Sequence, residues 1–352
     1  MTPEDELLIA CARQDFAEEY RKKVSYLTTG TKLNWDRIIS AAVDQGIAPL
    51  LHMNLVQYSS TKNGVYARAL EQLRMSEVAS IALHSNRAAR LERLLAFLNS
   101  KSIDAMLIKG TALEILVYDR PWATTTRDID VVLDIDAGGF SKADQAAFHD
   151  LAGGYSLEYD FGTHHDVTMN GILPVDFQKV WADAQTSCYH DQPCLVMSME
   201  DMLISLCVNS CRKRYFSLKS LLDIAETIRN CKGLDWQIVT AKARTYRCSY
   251  IVYTALLATQ ITIGSQLPVT LQRDLSVSPL RARIILLEIE RRVSRPLFEP
   301  KPSADILGRS IDTSLFLPYL TYRWDQILKR WWFVLRTRKQ PMGLLDKGVL
   351  YA

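Results

Sequence analysis

Hydrophobic residues in the first hundred positions recur at helical spacing. Leu91, Leu94, Leu95 and Leu98 follow the i, i+3, i+4, i+7 pattern of one buried helix face. Leucines earlier in this stretch, at positions 70 and 73, continue the same periodicity. The pattern predicts an N-terminal helical region over residues 1–100.

The hydrophobic period changes near residue 101. The apolar run from Ile103 to Ile108 predicts a short buried strand, followed by a short helix over Thr111–Tyr118. Alternation of apolar and acidic residues over Arg127–Ile135 predicts a second strand, and Leu173–Val180 predicts a later one. Glycines separate the short segments between them. We therefore predict a small α/β core over residues 101–195.

A helical pattern returns at Ser198 and continues toward the C-terminus. Ser198 to Asp201 resembles a capping box at the start of an apolar helix. A second helix face is marked by apolar residues between Leu218 and Ile228. Further helices are predicted over residues 249–263 and 279–293, with a proline-containing linker from Pro296 to Pro302. Together these elements predict a C-terminal helical domain over residues 196–352.

Composition narrows the class of protein. The chain has 352 residues, is 48% hydrophobic and 23% charged, and carries a formal charge of +3. This charge is too small to indicate a nucleic acid or an anionic membrane as partner. No apolar run approaches the roughly 18 residues that span a bilayer. The acidic start Met1–Glu6 does not resemble a signal peptide, so we expect a cytoplasmic protein.

Seven cysteines, an odd and scattered number, favour a reducing compartment. Cys207 and Cys211 lie one helical turn apart, a spacing that suits either half a metal site or two buried thiols. Because no second pair lies at ligand spacing, buried thiols are the preferred interpretation.

Two acidic residues stand out on the second predicted strand. Side chains alternate between the faces of a strand, so Asp128 and Asp130 point to the same side, roughly 7 Å apart. A strand with one solvated face also explains this pattern, because Asp134 and Asp136 share the same parity. The acidic pair alone therefore does not establish a site.

The residues before the acidic strand add a second feature. Gly110 and Thr111 lie where a strand passes into a helix, and Thr111 to Glu114 can form a capping box. A helix start offers free backbone N–H groups to a phosphate, and Gly110 lets a ligand approach the backbone closely. Lys109 adds a compact cation suited to polyphosphate. The alternative is a surface lysine followed by an ordinary turn.

Asp176, in the apolar stretch Pro174–Phe177, is a third acid. Three carboxylates on neighbouring strands would hold two Mg²⁺ ions, with Mn²⁺ as a substitute, since these ions favour oxygen ligands and also bind phosphates. Two such ions about 3.5–4 Å apart stabilise the attacking and leaving oxygens at phosphorus. An acid cluster beside a phosphate-binding turn predicts nucleotidyl transfer.

At this point the sequence resembles a known family. The turn, the Asp-x-Asp strand and the later acid resemble the nucleotidyltransferase superfamily of the DNA polymerase β fold. Lys109–Leu113 and the long interval before Asp128 resemble a bacterial group of uncharacterised nucleotidyltransferases. The resemblance extends over roughly residues 30–335. It implies an α+β fold, with a small mixed-sheet polymerase β-like core flanked by N- and C-terminal helical regions.

The resemblance also implies roles for individual residues. Asp128, Asp130 and Asp176 would be the catalytic, metal-binding acids, although the group more often has Glu at the third position. Lys109, Gly110 and Thr111 would bind the nucleotide phosphates. Arg127 would either neutralise phosphate or pair with an acid at the surface.

The pair His164–His165 resembles a histidine pair that precedes the third acid in the group. Only one of two consecutive residues can face a cleft, and we assign nucleotide binding to His165. A histidine pair in a loop with no chemical role remains the alternative.

The expected reaction moves an NMP, by default AMP from ATP, to a hydroxyl of an unidentified acceptor. The acceptor classes considered are a small molecule, a sugar, a peptide product or a protein. A metal-dependent glycosyltransferase with paired acids is one alternative, and an inactive nucleotide-binding partner protein is another. The aromatic and basic stretch near the C-terminus predicts a packing helix, with apolar residues 320, 324, 327, 328, 331 and 335 on one face. An RNA-stacking surface or a membrane-interface helix is the alternative there.

Overall fold

The fold is described from a computed structural model. It describes residues 1–57, 64–135, 139–169, 171, 173–231 and 233–298. The predicted C-terminal packing helix and the linker residues from 299 onward lie outside this part of the chain.

The described part of the first hundred residues is helical, as the leucine pattern predicts, and contains five helices. The four leucines of the predicted face, from Leu91 to Leu98, are at most 1% exposed. Thr2 begins the first helix with a reciprocal capping box to Asp5. The helices are α1 (Pro3–Cys11), α2 (Glu18–Gly30), α3 (Trp35–Asp44), α4 (Ala48–Val56) and α5 (Gly64–Ser100).

The central region contains a five-stranded mixed sheet in the order β3-β2-β1-β5-β4. The β1–β2 and β4–β5 pairs are antiparallel, whereas β2–β3 and β1–β5 are parallel. The strands are β1 (Ala105–Leu107), β2 (Asp128–Leu133), β3 (Ser156–Phe161), β4 (Gln185–Tyr189) and β5 (Gln192–Val196).

Three helices connect the strands. These are α6 (Lys109–Leu116), α7 (Lys142–Ala152) and α8 (Phe177–Ala182), with a 3₁₀ helix at Pro121–Ala123 before β2. Parallel pairing of β2 and β3 requires a crossover, which α7 supplies. This crossover is what brings the even-numbered residues of β3 beside those of β2.

The last described region is helical. Ser198 caps its first helix, where its Oγ accepts the N–H of Asp201 at 3.2 Å. The predicted helices over residues 249–263 and 279–293 are confirmed at both ends. The helices are α9 (Met199–Arg212), α10 (Leu218–Asn230), α11 (Trp236–Thr245), α12 (Ser249–Ile263), α13 (Leu271–Asp274) and α14 (Pro279–Val293).

The predicted fold class is confirmed: a small mixed sheet is flanked by helices on both sides in sequence. Buried apolar residues from the N-terminal helices, the sheet and the C-terminal helices form one continuous core. All seven cysteines are described and unpaired, and Cys207 and Cys211 are fully buried thiols, as expected. No helix in the described ranges has both the length and the apolar character needed to cross a membrane.

Two local predictions are wrong. The stretch Leu173–Val180 is not a strand, because α8 begins after Asp176, whose carboxylate caps it by accepting the N–H of Lys179 at 3.4 Å. Thr111 is not a helix cap either, because α6 already begins at Lys109 and its N-cap residue is Ile108. The helix begins two residues before the predicted start at Thr111 and ends at Leu116 rather than at Tyr118.

Candidate active site

Lys109 lies at the centre of an acidic cluster. Its Nζ atom is 2.9 Å from Asp130 Oδ1, 2.9 Å from Glu158 Oε2 and 2.7 Å from Asp166 Oδ2. The lysine side chain is only 14% exposed. One ammonium group is therefore bound by three carboxylates that come from a strand, its parallel neighbour and the loop that follows.

The backbone of Lys109 is strained. Its φ angle is 50°, in the left-handed region that costs a residue with a side chain about 1–3 kcal/mol. The residue stands between β1 and the start of α6, where the chain must turn sharply from strand to helix. This conformation directs the ammonium group to the acids, so the packing around it compensates for the strain.

Strand register explains why two of the acids meet. Asp130 of β2 is paired with Glu158 of β3, and Asp128 is paired with Ser156. Side chains opposite each other in parallel strands project to the same face. Asp128 and Asp130 share this face, as predicted, but Asp128 is exposed whereas Asp130 is only 4% exposed.

The electrostatics distinguish the three acids around Lys109. Burial raises the pKa of Asp130 above its usual range, although the neighbouring ammonium opposes the shift. Burial also raises the pKa of Glu158 and Asp166, but Lys109 and other neighbouring groups lower it, and the net pKa of both carboxyls lies below the usual range. For Lys109, burial alone would lower the pKa, but the attraction of Asp130 and Asp166 raises it. The net pKa lies above the usual lysine range, so the ammonium group stays protonated. Asp130 is thus the carboxylate that a further cation would stabilise most.

Gly110 and Thr111 lie in the first turn of α6, where backbone N–H groups lack partners within the helix. A Cβ on Gly110 would lie 2.9 Å from Thr126 Cγ2, so the loop before β2 packs directly against this glycine. The Thr111 side chain is fully buried, and its Oγ1 accepts the N–H of Asp130 at 3.3 Å. The threonine hydroxyl therefore joins α6 to the acidic strand.

A cavity of about 340 Å³ lies beside the cluster. Asp160 organises one side of it: its Oδ2 accepts the N–H of His165 at 2.8 Å, and its Oδ1 is 3.3 Å from His165 Nε2. The His165 side chain is 67% exposed, whereas His164 is buried and its Nδ1 accepts the N–H of Asp166 at 3.0 Å. The lining residues are Val131, Leu157, Glu158, Tyr159, Asp160, His164, His165 and Asp166.

The two histidines differ in exposure, although both line the cavity. His165 is placed to contact a ligand in the cavity. His164 instead fixes the loop that carries Asp166. The nucleotide-binding role of His165 stays a prediction.

Two predicted residues remain, Arg127 and Asp176. Arg127 is exposed and immediately precedes β2. Asp176 is exposed at the start of α8, and its carboxylate lies 3.9 Å from Lys179 Nζ. The contacts that the structure gives for Asp176 are with Lys179, not with Asp128 or Asp130. Its role as a metal ligand stays a prediction.

Three residues of the cluster were not predicted from the sequence. Glu158 had a detectable signal, because Ser156–Phe161 alternates apolar and acidic residues just as β2 does. Asp166 and Arg212 had none: the first lies in a loop, and the second is one of three successive basic residues. Arg212, at the end of α9, forms an ion pair with Asp166.

Comparison with known families shows which family the chain belongs to. A sequence model of a family described as uncharacterised nucleotidyltransferase matches residues 31–264. The chain belongs to this family. The matched range runs from the start of the third helix to the end of α12 and includes the whole sheet and the Lys109 cluster. Neither the curated proteins nor the solved structures gave a match. Membership assigns the chain broadly to the nucleotidyltransferases, and the acidic cluster lies within the matched region.

Proposed function

We propose that the protein is a Mg²⁺-dependent nucleotidyltransferase that moves an NMP from an NTP to an acceptor hydroxyl. The observation that carries the proposal is the Lys109 cluster, in which Asp130 and two further acids surround a cation at the start of a helix. Acids that hold metal and a helix start that binds phosphate serve the same reaction. ATP, and hence AMP, is the default nucleotide.

The donor atoms of the cluster are of the chemical kind that binds a divalent ion. Carboxylate oxygens are the preferred ligands of Mg²⁺ and Mn²⁺, and the cluster already binds one positive charge. Asp128, Asp130 and Glu158 are the residues that would hold the ion. No trio of metal-binding side chains in the described ranges is arranged for an ion as it stands, since Lys109 lies among the acids. Bound metal would neutralise phosphate charge and activate the acceptor oxygen.

Residues of the chain position the triphosphate. The N–H groups of Gly110 and Thr111 at the start of α6 would donate to the phosphate oxygens. Lys109 is one residue away and carries the charge that a polyphosphate needs. Asp128, Asp130 and Glu158 would hold the ion, and the Lys109 ammonium would then be available to bind a phosphate oxygen.

The acceptor enters from the cavity beside Glu158. Its hydroxyl oxygen forms a bond to the α-phosphorus, the bond from that phosphorus to the bridging oxygen breaks, and pyrophosphate leaves. The hydroxyl proton needs a base within hydrogen-bond reach. Glu158 and Asp166 are the carboxylates of the cluster that also line the cavity, and His165 is placed to contact the acceptor or the base of the nucleotide.

Mass spectrometry tests the proposal directly. Cell extract is incubated with the purified protein, Mg²⁺ and each of the four NTPs in turn, and products are searched for a nucleotide-sized mass gain. The mass gain should appear only when the unsubstituted protein is present. It should be absent when the matched variant Asp130→Asn is used instead. Transfer of sugar from a nucleotide sugar would establish a glycosyltransferase instead. Nucleotide binding with no product in any extract fraction would favour an inactive binding protein.

A further inference from the structure

The wall of the cavity beside the acidic cluster carries an imidazole group. His165 lines this cavity together with Glu158 and Asp166. The carboxylates of those two acids lie 2.9 and 2.7 Å from Lys109 Nζ, so the cavity opens onto the cluster. The His165 side chain is 67% exposed, and a molecule that enters the cavity from solvent can therefore reach its ring.

Asp160 holds this imidazole from one side. Its Oδ1 lies 3.3 Å from His165 Nε2, and its Oδ2 accepts the backbone N–H of His165 at 2.8 Å. One carboxylate thus contacts both the ring and the main chain of the histidine. With Nε2 beside a carboxylate, the favoured tautomer carries its proton on Nε2 and keeps a lone pair on Nδ1. An imidazole oriented in this way is suited to remove a proton from a hydroxyl group.

Glu158 and Asp166 also line the cavity, but they are poor bases. Both carboxylates contact the Lys109 ammonium, and Asp166 forms a further ion pair with Arg212. Burial raises the pKa of each acid, but neighbouring groups, above all Lys109, lower it, and the net pKa lies below the usual range. A carboxylate with a lowered pKa binds a proton weakly at neutral pH, so neither acid readily takes one from a hydroxyl group.

The remaining ionisable groups of the cavity wall are also unsuited to accept a proton. Burial raises the pKa of Asp160, but its contacts with the two histidines lower it below its usual range. Burial raises the pKa of the Tyr159 hydroxyl, which therefore keeps its proton at neutral pH. The His164 ring is buried, and its Nδ1 already accepts the N–H of Asp166 at 3.0 Å. Among the described side chains that line the cavity, His165 is the one that offers an exposed imidazole nitrogen.

We propose that His165, oriented by Asp160, is the general base that removes the proton from the acceptor hydroxyl. This inference rests on the proposed function and deepens it by naming the group that takes the proton. The hydroxyl proton moves to Nδ1 of the imidazole while the acceptor oxygen forms its bond to the α-phosphorus. The bond from that phosphorus to the bridging oxygen breaks, and its electron pair leaves with pyrophosphate. The Asp160 carboxylate stabilises the imidazolium, which gives its proton to solvent after the product has left.

The initial rate of product formation tests the assignment. The full-length protein is assayed with Mg²⁺ and with the NTP and extract fraction that give a nucleotidylated product, and it is compared with His165→Ala and His190→Ala. His190 is a matched control, because its side chain is 57% exposed and its Nδ1 lies 3.3 Å from Glu92 Oε2, in the turn between β4 and β5. At saturating NTP, the rate should fall about 100-fold or more in His165→Ala, as is typical of the loss of a general base. The control should stay within about twofold.

Added imidazole and the pH profile distinguish a base from a structural residue. Imidazole should restore part of the rate of His165→Ala, because it can supply the missing base, and should leave the control unchanged. The unsubstituted rate should fall as the pH is lowered from about 8 to about 5, since an imidazole gains a proton in this range, and His165→Ala should lose this dependence. The other titratable groups around His165 are the same in the variant: Glu158, Tyr159, Asp160, His164 and Asp166 on the cavity wall, with Lys109 and Arg212 paired to acids among them.

Asp160→Asn tests whether Asp160 acts through His165. The substitution should lower the rate about 10-fold in the unsubstituted protein, because the imidazolium loses its neighbouring negative charge. In the His165→Ala background it should change the rate by less than about twofold, since two residues that act as a unit are not additive. Equal effects in the two backgrounds would overturn the orienting role of Asp160.

The outcomes separate this inference from the proposed function. A loss in His165→Ala alone, with recovery by imidazole and a flat pH profile, supports the assignment. A raised KM for the NTP with kcat unchanged would make His165 a nucleotide-binding residue, which overturns its role as the base and leaves the transferase proposal standing. A loss without imidazole recovery and with the pH profile kept overturns it too. If the unsubstituted protein forms no product with any NTP or extract fraction, both proposals fail.

Discussion

Asp130 and Glu158 lie opposite each other in the register of the parallel strands β2 and β3, and Lys109 Nζ is 2.9 Å from a carboxylate oxygen of each. This relationship makes Glu158, rather than Asp176, the acid that the structure associates with the Asp-x-Asp strand. Glu158 and Asp176 also lie in different kinds of secondary structure. Glu158 projects from a strand beside the pair, whereas Asp176 caps a short helix.

Glu158 and Asp176 are the two candidates for the third acid. Substitution of each one should therefore have an unequal effect on the rate of nucleotidyl transfer. Glu158→Gln removes the charge of the proposed metal ligand at nearly constant size, and we expect nucleotidyl transfer to fall at least about 100-fold, equivalent to about 3 kcal/mol. Asp176→Asn keeps a side chain that caps helices well and should change the rate less than about threefold. Initial rates at saturating NTP and Mg²⁺ measure both. A large loss in Asp176→Asn with activity retained in Glu158→Gln would restore the third acid to Asp176.

Removal of the central cation should destabilise the metal-free protein. Lys109→Met leaves three acids close together without their shared partner. We expect a loss of about 3 kcal/mol, the lower end for breaking a buried pair, because Glu158 is half-exposed. Mg²⁺ should recover part of this loss, since a ligand that binds only the folded state stabilises it.

Thermal unfolding with and without Mg²⁺ measures this effect. Lys179→Met is the matched control, because its lysine is 75% exposed and its pair with Asp176 is long, at 3.9 Å. The control should change the free energy of unfolding by less than about 0.5 kcal/mol. If the Lys109→Met protein is as stable as the control and is unaffected by Mg²⁺, repulsion among the three acids does not destabilise the folded protein.

Thr111 should act through structure more than through phosphate. Thr111→Val keeps the shape of the side chain but leaves the buried N–H of Asp130 without its acceptor, at a cost of about 1–3 kcal/mol. Thr111→Ser retains the hydroxyl and should lose only the cost of one methyl group, about 1 kcal/mol. Urea unfolding distinguishes them. Equal stability of the valine variant and the unsubstituted protein would contradict a structural role for this hydroxyl.

Gly110 should be required because a loop packs against it. Gly110→Ala places a Cβ 2.9 Å from Thr126 Cγ2, a contact too short to keep, and should cost about 1–3 kcal/mol. Thr126→Ala removes both close side-chain atoms, so the double variant should recover most of the loss. A double-mutant cycle of unfolding free energies measures the coupling. If the unfolding free-energy changes of the two single variants simply add, the contact with Thr126 is not the reason that glycine is required at position 110.

Long periodic segments allowed most of the fold to be predicted from the sequence. The helices over residues 249–263 and 279–293 have regular apolar spacing and clear ends, and their predicted bounds agree with the structure. Short segments carry less information. Leu173, Val175 and Phe177 alternate like a strand, but the capping preference of Asp176 outweighed that pattern and began a helix.

The candidate site was predictable only where it is local in sequence. Lys109, Gly110, Asp128 and Asp130 lie in one stretch with a recognisable pattern. Glu158 and Asp166 join them through strand register and a loop, which depend on the parallel crossover and not on any adjacent residues. Arg212 arrives from α9, about 100 residues after the Lys109 turn, and only packing brings it to Asp166.

The most direct test of the account is pyrophosphate release from each of the four NTPs in the presence of Mg²⁺ and acceptor-containing extract. The unsubstituted protein should release pyrophosphate together with a nucleotidylated product. Asp130→Asn, shown to be folded by circular dichroism, should release at least about 100-fold less, since it removes the most deeply buried acid of the cluster. Release by the folded Asp130→Asn protein at the unsubstituted rate would contradict the claim that this cluster performs nucleotidyl transfer.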